Sequence, residues 1–146
     1  KMLKRWEMNN SVEEATESYY RWLHAFNSRD IDGMLEEMHF PHIRISGQNE
    51  IQVWNSRDDQ IVRHDGMTEM LRSEDWIQTV TSDLRAVQEG PDKVHLAMTQ
   101  HRRNREGRNY NIFDTLWIFT REHGKWGVRF RSSFQFGSSE VGSDGN

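Results

Sequence analysis

No cysteine occurs among the 146 residues, which excludes disulfide bonds and thiolate chemistry. No apolar run approaches the roughly 20 residues that a membrane-spanning helix needs. The first ten residues carry charges but no apolar segment of the kind found in secretory signals. From these absences we expect a cytoplasmic protein that makes no contact with a membrane.

Sequence motifs for cofactor binding are absent as well. The chain has no phosphate-binding loop, dinucleotide fingerprint, zinc-protease helix or nucleophile elbow, so we expect no cofactor. Lys plus Arg number 19 and Asp plus Glu 23, and the resulting charge of −4 argues against a nucleic-acid partner. The basic segment 101–108 lies at an expected hairpin tip, where no aromatic side chain interleaves with the charges to stack on bases.

Aromatic residues compensate for a hydrophobic content of only 34%, since the chain has 6 Trp and 7 Phe. Its length suits a single domain. A capping-box pattern at Ser11 and Glu14 precedes apolar residues at helical spacing, which predicts a helix over about residues 12–27. A second, short helix follows and is expected to end at Pro41, because proline disfavours the helical conformation in the residue before it.

Alternating patterns dominate the remainder of the chain and predict strands. The predicted strands cover residues 42–46, 51–54, 77–88, 94–103, 110–120 and 126–136, whereas residues 55–76 give no clear pattern. Helices followed by a meander favour an α+β fold in which a curved antiparallel sheet wraps around the N-terminal helices. We expect one domain over residues 11–136, a flexible segment at 1–10 and a disordered tail at 137–146.

Three segments resemble the nuclear transport factor 2-like superfamily, which includes ketosteroid isomerases, scytalone-type dehydratases and SnoaL-type polyketide cyclases. They are residues 26–34 (FNSRDIDGM), residues 40–47 (FPHIRISG) and the final hairpin over 117–134, and the last two are most similar to an uncharacterised bacterial branch. The resemblance implies a cystatin-like cone with one pocket per chain. It does not imply steroid isomerisation, because the positions that match the isomerase catalytic residues hold Trp22, Ser46 and Leu116.

Asp114 is the sharpest candidate for chemistry. It lies in the apolar stretch between Ile112 and Phe119. Burial among such residues would raise the pKa of its carboxyl group and make it a general acid or base. The alternative is a structural carboxylate that is bonded to a tyrosine or an arginine.

His42 and Tyr19 are the expected partners of Asp114. His42 would act as a proton shuttle at the mouth of the pocket, or else be bonded to a backbone carbonyl. Tyr19 would polarise or orient a ligand through its hydroxyl group, or else be an ordinary core tyrosine. His39 and His42 could share a metal only on one helical face, which Pro41 prevents, so we expect no metal.

Strict alternation in the last predicted strand places Phe130, Ser132 and Phe134 on one face and turns Arg129 and Arg131 outward. The expected ligand-binding residues are Trp22, Phe26, Phe40, Leu116, Phe130, Ser132 and Phe134. The predicted strand 110–120 is apolar on both faces, so its outer face needs cover, and we expect a homodimer that forms through that face.

Two kinds of function fit these observations. The first is binding of a small apolar or carbonyl-containing molecule inside the cone, with cofactor-free acid–base chemistry such as dehydration, isomerisation or cyclisation. The second is a non-catalytic domain that binds a ligand or serves as a dimeric interaction module. The sequence does not identify the ligand in either case.

Overall fold

Two helices, two strands and a third helix precede four consecutive strands. The structure, a computed structural model, describes residues 5–135, with side chains described from Asn10 onward. The helices are α1 (Arg5–Asn27), α2 (Ile31–Glu36) and α3 (Arg57–Ser73), and the strands are β1 (Met38–Ile45), β2 (Ile51–Trp54), β3 (Trp76–Glu89), β4 (Lys93–Asn104), β5 (Asn109–Glu122) and β6 (Lys125–Ser133). No helix among the described residues is long and apolar enough to cross a membrane.

The six strands form one open sheet in the order β2-β1-β6-β5-β4-β3. Neighbouring strands are antiparallel except for β1 and β6, which run parallel. The prediction of an α+β fold with a sheet against the N-terminal helices is confirmed, and the sheet is antiparallel as expected except at this one pair. The reason is topological: the first hairpin joins the rest of the sheet through the last strand of the chain.

Helix α1 packs on the inner face of the sheet and builds the core with it. Tyr19, Trp22 and Phe26 follow one another along one side of α1, and at most 1% of each is exposed. Trp117 of β5 meets Tyr19 and Trp22 edge-on, with ring centroids 5.1 and 4.7 Å apart. Aromatic pairs of this kind add to the burial of apolar area, which explains how few aliphatic residues the core needs.

The first helix begins at Arg5 rather than at about residue 12. The predicted capping box does not form, because Ser11 lies inside the helix and not at its start, and both side chains bond to tertiary partners instead. The Ser11 hydroxyl donates to the carbonyl oxygen of Pro91 at 2.9 Å, and Glu14 accepts from the Trp126 indole at 2.8 Å. Residues 5–10 are therefore helical, while residues 1–4 and the predicted tail over 137–146 lie outside the described residues.

Helices α2 and α3 differ from the prediction at their ends. The Asp30 side chain caps α2 by accepting from the backbone N–H of Gly33 at 3.1 Å. Helix α2 ends at Glu36, and Pro41 lies inside β1 instead of terminating a helix. Helix α3 runs without a break through Gly66 and accounts for most of the stretch that gave no clear pattern.

Strand β6 carries one extra residue relative to β5. Consecutive residues of β5 pair with Phe130 and Val128, which leaves Arg129 between them as a β-bulge. The bulge shifts the alternation, so Val128 points inward before it and Arg131 points inward after it. This shift decides which side chains of β6 line the interior.

Candidate functional site

Arg131 projects from β6 on the inner face of the sheet, and only 2% of it is exposed. Its Nε atom donates to Nε2 of His42 at 2.9 Å. Its other two nitrogens, Nη1 and Nη2, are buried and have no hydrogen-bond partner among the described residues. Burial lowers the pKa of the Arg131 guanidinium, and the positive charges of Arg44 and Arg63 lower it further. A guanidinium nevertheless stays protonated, so Arg131 carries a buried positive charge, which destabilises the folded protein unless it is compensated.

His42 fixes the orientation of this guanidinium. Because Nε2 of His42 accepts from Arg131, Nδ1 carries the proton and donates to the Val128 carbonyl oxygen at 3.2 Å. Burial lowers the pKa of His42 well below its usual value, and the charge of Arg131 lowers it further. His42 is therefore a neutral imidazole with both nitrogens engaged. It is fully buried, which contradicts its predicted place at the pocket mouth.

Two tryptophan rings flank the Arg131 guanidinium. Its Cζ atom lies 5.2 Å from the ring centroid of Trp117 and 5.9 Å from that of Trp54. The His42 ring is 5.7 Å from Trp54 on the same side. Arg63 of α3 places its own Cζ atom 5.1 Å from the Trp54 ring and is only half-buried. Cation–π contacts therefore order the cluster, and Arg63 marks where the interior meets solvent.

Two further polar atoms in this region are buried without a partner among the described residues. They are Nε1 of Trp54 and Oε1 of Gln60. Gln60 precedes Arg63 by three residues and therefore lies on the same side of α3. Together with the Arg131 nitrogens, these atoms provide both donors and acceptors that make no hydrogen bond to the described residues.

A second buried arginine shows how the same chain compensates a charge elsewhere. Arg102 of β4 is fully buried, and its Nη1 atom lies 3.2 Å from Oε1 of Glu74. Tyr110 donates to the same carboxylate oxygen at 2.6 Å. Among the described side chains no carboxylate plays this part for Arg131.

Asp114 lies on the outer face of the sheet, in contrast to the prediction. Its side chain is exposed, and Oδ1 accepts from the Thr99 hydroxyl at 2.8 Å. It borders an open groove of about 550 Å³ together with Leu116 and Phe134. The expected desolvation is absent because neighbours such as Phe113 point into the cone whereas Asp114 points away from it.

Tyr19 is completely buried, and its hydroxyl group is fully engaged within the core. The hydroxyl lies 2.6 Å from Oγ1 of Thr81 and accepts from Gln100 at 2.9 Å. Burial raises the pKa of Tyr19 to about 12 although both hydrogen bonds oppose the rise. The structure does not bring Asp114 together with Tyr19 and His42, since it lies on the opposite face of the sheet.

The predicted pocket residues divide between the two faces of the sheet. Four of them lie on the outer face: Leu116, Phe130, Ser132 and Phe134. For the three residues near the end of the chain, the physical reason is the bulge at Arg129, which reverses the alternation. The other three belong to the core or its edge: Trp22, Phe26 and Phe40.

Sequence reasoning missed Arg131 and turned it toward the outer face. One signal could have corrected this assignment. In the first predicted strand, Ile43 alternates with the polar residues His42 and Arg44. In the structure both polar side chains point inward, beside Arg131. Because buried polar side chains need polar neighbours, inward-pointing polar residues on β1 predict inward-pointing polar residues on the strand that pairs with it.

No group of three His, Asp or Glu side chains able to hold a metal occurs among the described residues. Nε2 of His39 lies 3.1 Å from the Thr120 carbonyl oxygen and 3.0 Å from that of Lys125. His42 is engaged by Arg131, so the two histidines have separate partners.

No family model matches the chain, and no curated protein matches it by sequence. Solved structures do match it. A nuclear transport factor 2-like protein with a cystatin-like fold from Novosphingobium aromaticivorans gives a TM-score of 0.68 at 17% identity, covering 91% of this chain and 86% of that one. This chain has the nuclear transport factor 2-like fold. A ketosteroid isomerase-like protein from Erwinia carotovora atroseptica gives 0.66 at 13% identity, with 88% and 98% covered. A cystatin-like protein of unknown function from Nostoc punctiforme gives 0.65 at 16%, with 86% and 90% covered.

These comparisons confirm the resemblance read from the sequence at the level of the fold. Identities of 17% or less carry no information about the reaction or the ligand, because this kind of fold hosts many unrelated activities. Function has to be argued from the side chains of this chain.

Proposed function

We propose that the protein binds a small organic molecule inside the cone, between helix α3 and the inner face of β1, β2 and β6. The observation that carries this proposal is the set of buried polar atoms on Trp54, Gln60 and Arg131 that have no partner among the described residues. Buried polar groups are almost always hydrogen-bonded.

Binding is favoured over the acid–base enzyme that the sequence predicts. Acid–base catalysis needs a group that can take or give a proton beside the ligand. His42 uses both ring nitrogens, the Tyr19 hydroxyl is engaged in the core, and Asp114 faces outward. The residues near Arg131 are therefore better suited to holding a ligand than to transforming it.

The indole N–H signals of the tryptophans provide a direct test. Trp126, Trp76 and Trp117 donate to Glu14, Thr79 and Thr115, respectively, whereas Nε1 of Trp54 has no acceptor among the described residues. We would titrate ¹⁵N-labelled protein with a mixture of aromatic carboxylates, amides and alcohols. The signal that disappears in Trp54→Phe should shift most, and that of Trp126 should stay in place.

Two results would contradict the proposal. In the first, fragments bind but move only signals from the outer face, such as the backbone amides of Thr99 and Asp114. In the second, no member of the mixture moves the Trp54 indole signal even at millimolar concentration. Either outcome would mean that the unpaired polar atoms of Trp54, Gln60 and Arg131 do not form a ligand-binding site.

We also propose that the protein is a homodimer formed through the outer face of the sheet. Strand pairing places Val53, Ile43, Phe130 and Ile118 side by side across β2, β1, β6 and β5. Val53 is 50% exposed, and Phe134, beyond the end of β6, is 61% exposed. Contiguous apolar surface of this kind marks association sites, and a second copy would bring a matching row.

Sedimentation velocity distinguishes this dimer from a monomer. The wild-type chain should sediment as a dimer at micromolar concentration, and Phe134→Glu should sediment as a monomer. Val62→Glu is the matched control, because Val62 is 81% exposed but lies on α3 and not on the outer face of the sheet. A monomeric wild-type chain, or equal disruption by both variants, would contradict the proposal.

A further inference from the structure

We infer that the ligand of this site carries a carboxylate, which Arg131 binds through Nη1 and Nη2. The inference rests on the proposed function and names the chemical class of its ligand: a small aromatic carboxylate. Three observations lead to it, and they concern the charge of Arg131, the contact that orients it and the rings around it.

The charge of Arg131 is the first observation. A buried ion without a partner destabilises a folded protein, and natural structures place buried charges next to opposite charges or metals. The chain does this for Arg102, which is paired with Glu74. Arg131 is as deeply buried, and its described neighbours contribute only the neutral His42 and further positive charge from Arg44 and Arg63. A bound anion would supply the missing compensation.

The orientation of the guanidinium is the second observation. His42 accepts from Nε and so leaves Nη1 and Nη2 as a pair of donors at the end of the group. Two parallel N–H donors match the two oxygens of a carboxylate, and this bidentate arrangement is the strong mode of arginine–carboxylate binding. His42 is held by Val128 in the tautomer that this arrangement requires.

The rings around Arg131 are the third observation and concern the rest of the ligand. Trp54 and Trp117 flank the guanidinium at 5.9 and 5.2 Å, which favours a flat, apolar body next to the charged group. The Trp54 indole N–H is an additional donor, and Oε1 of Gln60 is an acceptor for a polar substituent of the ligand. These features fit an aromatic acid better than an inorganic anion.

Benzoate and benzamide form a matched pair of probes, since they have nearly the same shape and differ in charge. We would measure their affinities by calorimetry at constant ionic strength, with inorganic phosphate as a third probe. Wild-type protein should bind benzoate at least about tenfold more tightly than benzamide, the difference expected of a charge-assisted bond. Phosphate should bind more weakly than benzoate.

Arg131→Met should weaken benzoate binding by about ten- to a hundredfold and leave benzamide almost unchanged. Arg129→Met is the matched control. It removes an arginine two residues earlier on the same strand, one that pairs with Glu122 at 2.5 Å, and benzoate affinity should be retained. Without ligand, Arg131→Met should melt no lower than wild type, because it removes a buried charge that has no counter-charge among the described residues.

The outcomes separate the inference from the proposed function. Equal affinity for benzoate and benzamide, with the Trp54 indole signal still shifting, would overturn the inference that the ligand carries a carboxylate. The proposed binding site would still stand. If phosphate binds with the same affinity as benzoate and this binding is lost in Arg131→Met, the site recognises anions in general. That result would overturn the inference that its ligand is an organic acid. If neither aromatic probe moves the Trp54 signal, the proposed function itself fails.

One further variant tests whether the chain supplies the anion itself. Residues 136–146 include the carboxylates of Glu140 and Asp144. The Glu140→Gln, Asp144→Gln double variant should match wild type in stability and bind benzoate at least as tightly. If both this double variant and Arg131→Met melt lower than wild type by the same amount, the anion belongs to the chain and the inference is overturned.

Discussion

Asp114 on β5 and Arg131 on β6 are charged side chains of adjacent strands that occupy opposite environments. Asp114 is surrounded by apolar residues in the sequence, yet it is exposed on the outer face and bonded to Thr99. Arg131 lies in a more polar stretch, yet it is 2% exposed and contacts His42 and two tryptophans. The face of the sheet, and not the neighbours along the chain, decides whether a charge is desolvated.

The largest effect should come from placing the same charge on either side of β5. Phe113 is 5% exposed and Ile112 is 55% exposed. Phe113→Asp should cost more than about 3–5 kcal/mol, the cost of deleting a buried phenyl ring, because it also buries a carboxylate. Ile112→Asp should lower the free energy of unfolding by about 1 kcal/mol or less. Urea unfolding followed by circular dichroism measures both, and similar losses would contradict the assignment of the faces.

A smaller effect is expected when Arg131 loses its acceptor. His42→Leu leaves Nε of Arg131 buried without a partner, which should lower the free energy of unfolding by about 1–3 kcal/mol. In an Arg131→Met background the same substitution should cost clearly less, because the donor is gone. A double-mutant cycle measures this coupling. Equal costs in both backgrounds would show that His42 does not act through Arg131.

Lowering the pH should lower the free energy of unfolding through His42. Its folded pKa is lowered by burial and by the charges of Arg131, Arg129 and Arg44, so only the unfolded chain gains a proton on this residue near neutrality. The stability from a neutral His42 is therefore complete well above about pH 6.5 and falls below it, with a limiting slope of about 1.4 kcal/mol per pH unit. Between about pH 7.5 and pH 5.5 the unfolded histidine takes up most of one proton, so the free energy of unfolding should fall by about 1.4 kcal/mol in total over this range. The same fall in His42→Leu would assign it to other groups.

The smallest effect belongs to Asp114. Asp114→Asn should change the free energy of unfolding by no more than about 0.5 kcal/mol, because the residue is exposed and an amide oxygen can still accept from Thr99. Benzoate affinity should also be unchanged. Loss of binding in this variant, with the fold intact, would move the functional site to the outer face.

Most of the fold could be predicted from the sequence because its signals are local. Turn residues set the hairpins at 89–92, 104–107 and 122–125, and the strands they join have ends within one or two residues of the prediction, except that the last strand ends at Ser133 and not at residue 136. Contacts between segments that are far apart in the chain leave no local pattern in the sequence. Two features depend on such contacts and were not predicted: the parallel pairing of β1 with β6, and the bonds of Ser11 and Glu14 to tertiary partners.

The candidate site was less predictable for the same reason. The sequence of β6 alternates without a break through Arg129, and the bulge becomes visible only in its register with β5. One extra residue exchanges the two faces from that point onward, so Phe130 moved outward and Arg131 inward. Asp114 was misplaced differently: β5 is apolar on both faces, and its pattern does not say which face is covered.

A crystal structure of the protein grown with benzoate tests the central claim most directly. The account predicts that the benzoate carboxylate lies within hydrogen-bonding distance of Nη1 and Nη2 of Arg131, with its ring beside Trp54 or Trp117. Benzoate in the outer groove beside Asp114 would contradict it. So would an Arg131 guanidinium bonded to a carboxylate of its own chain with no benzoate in the cone.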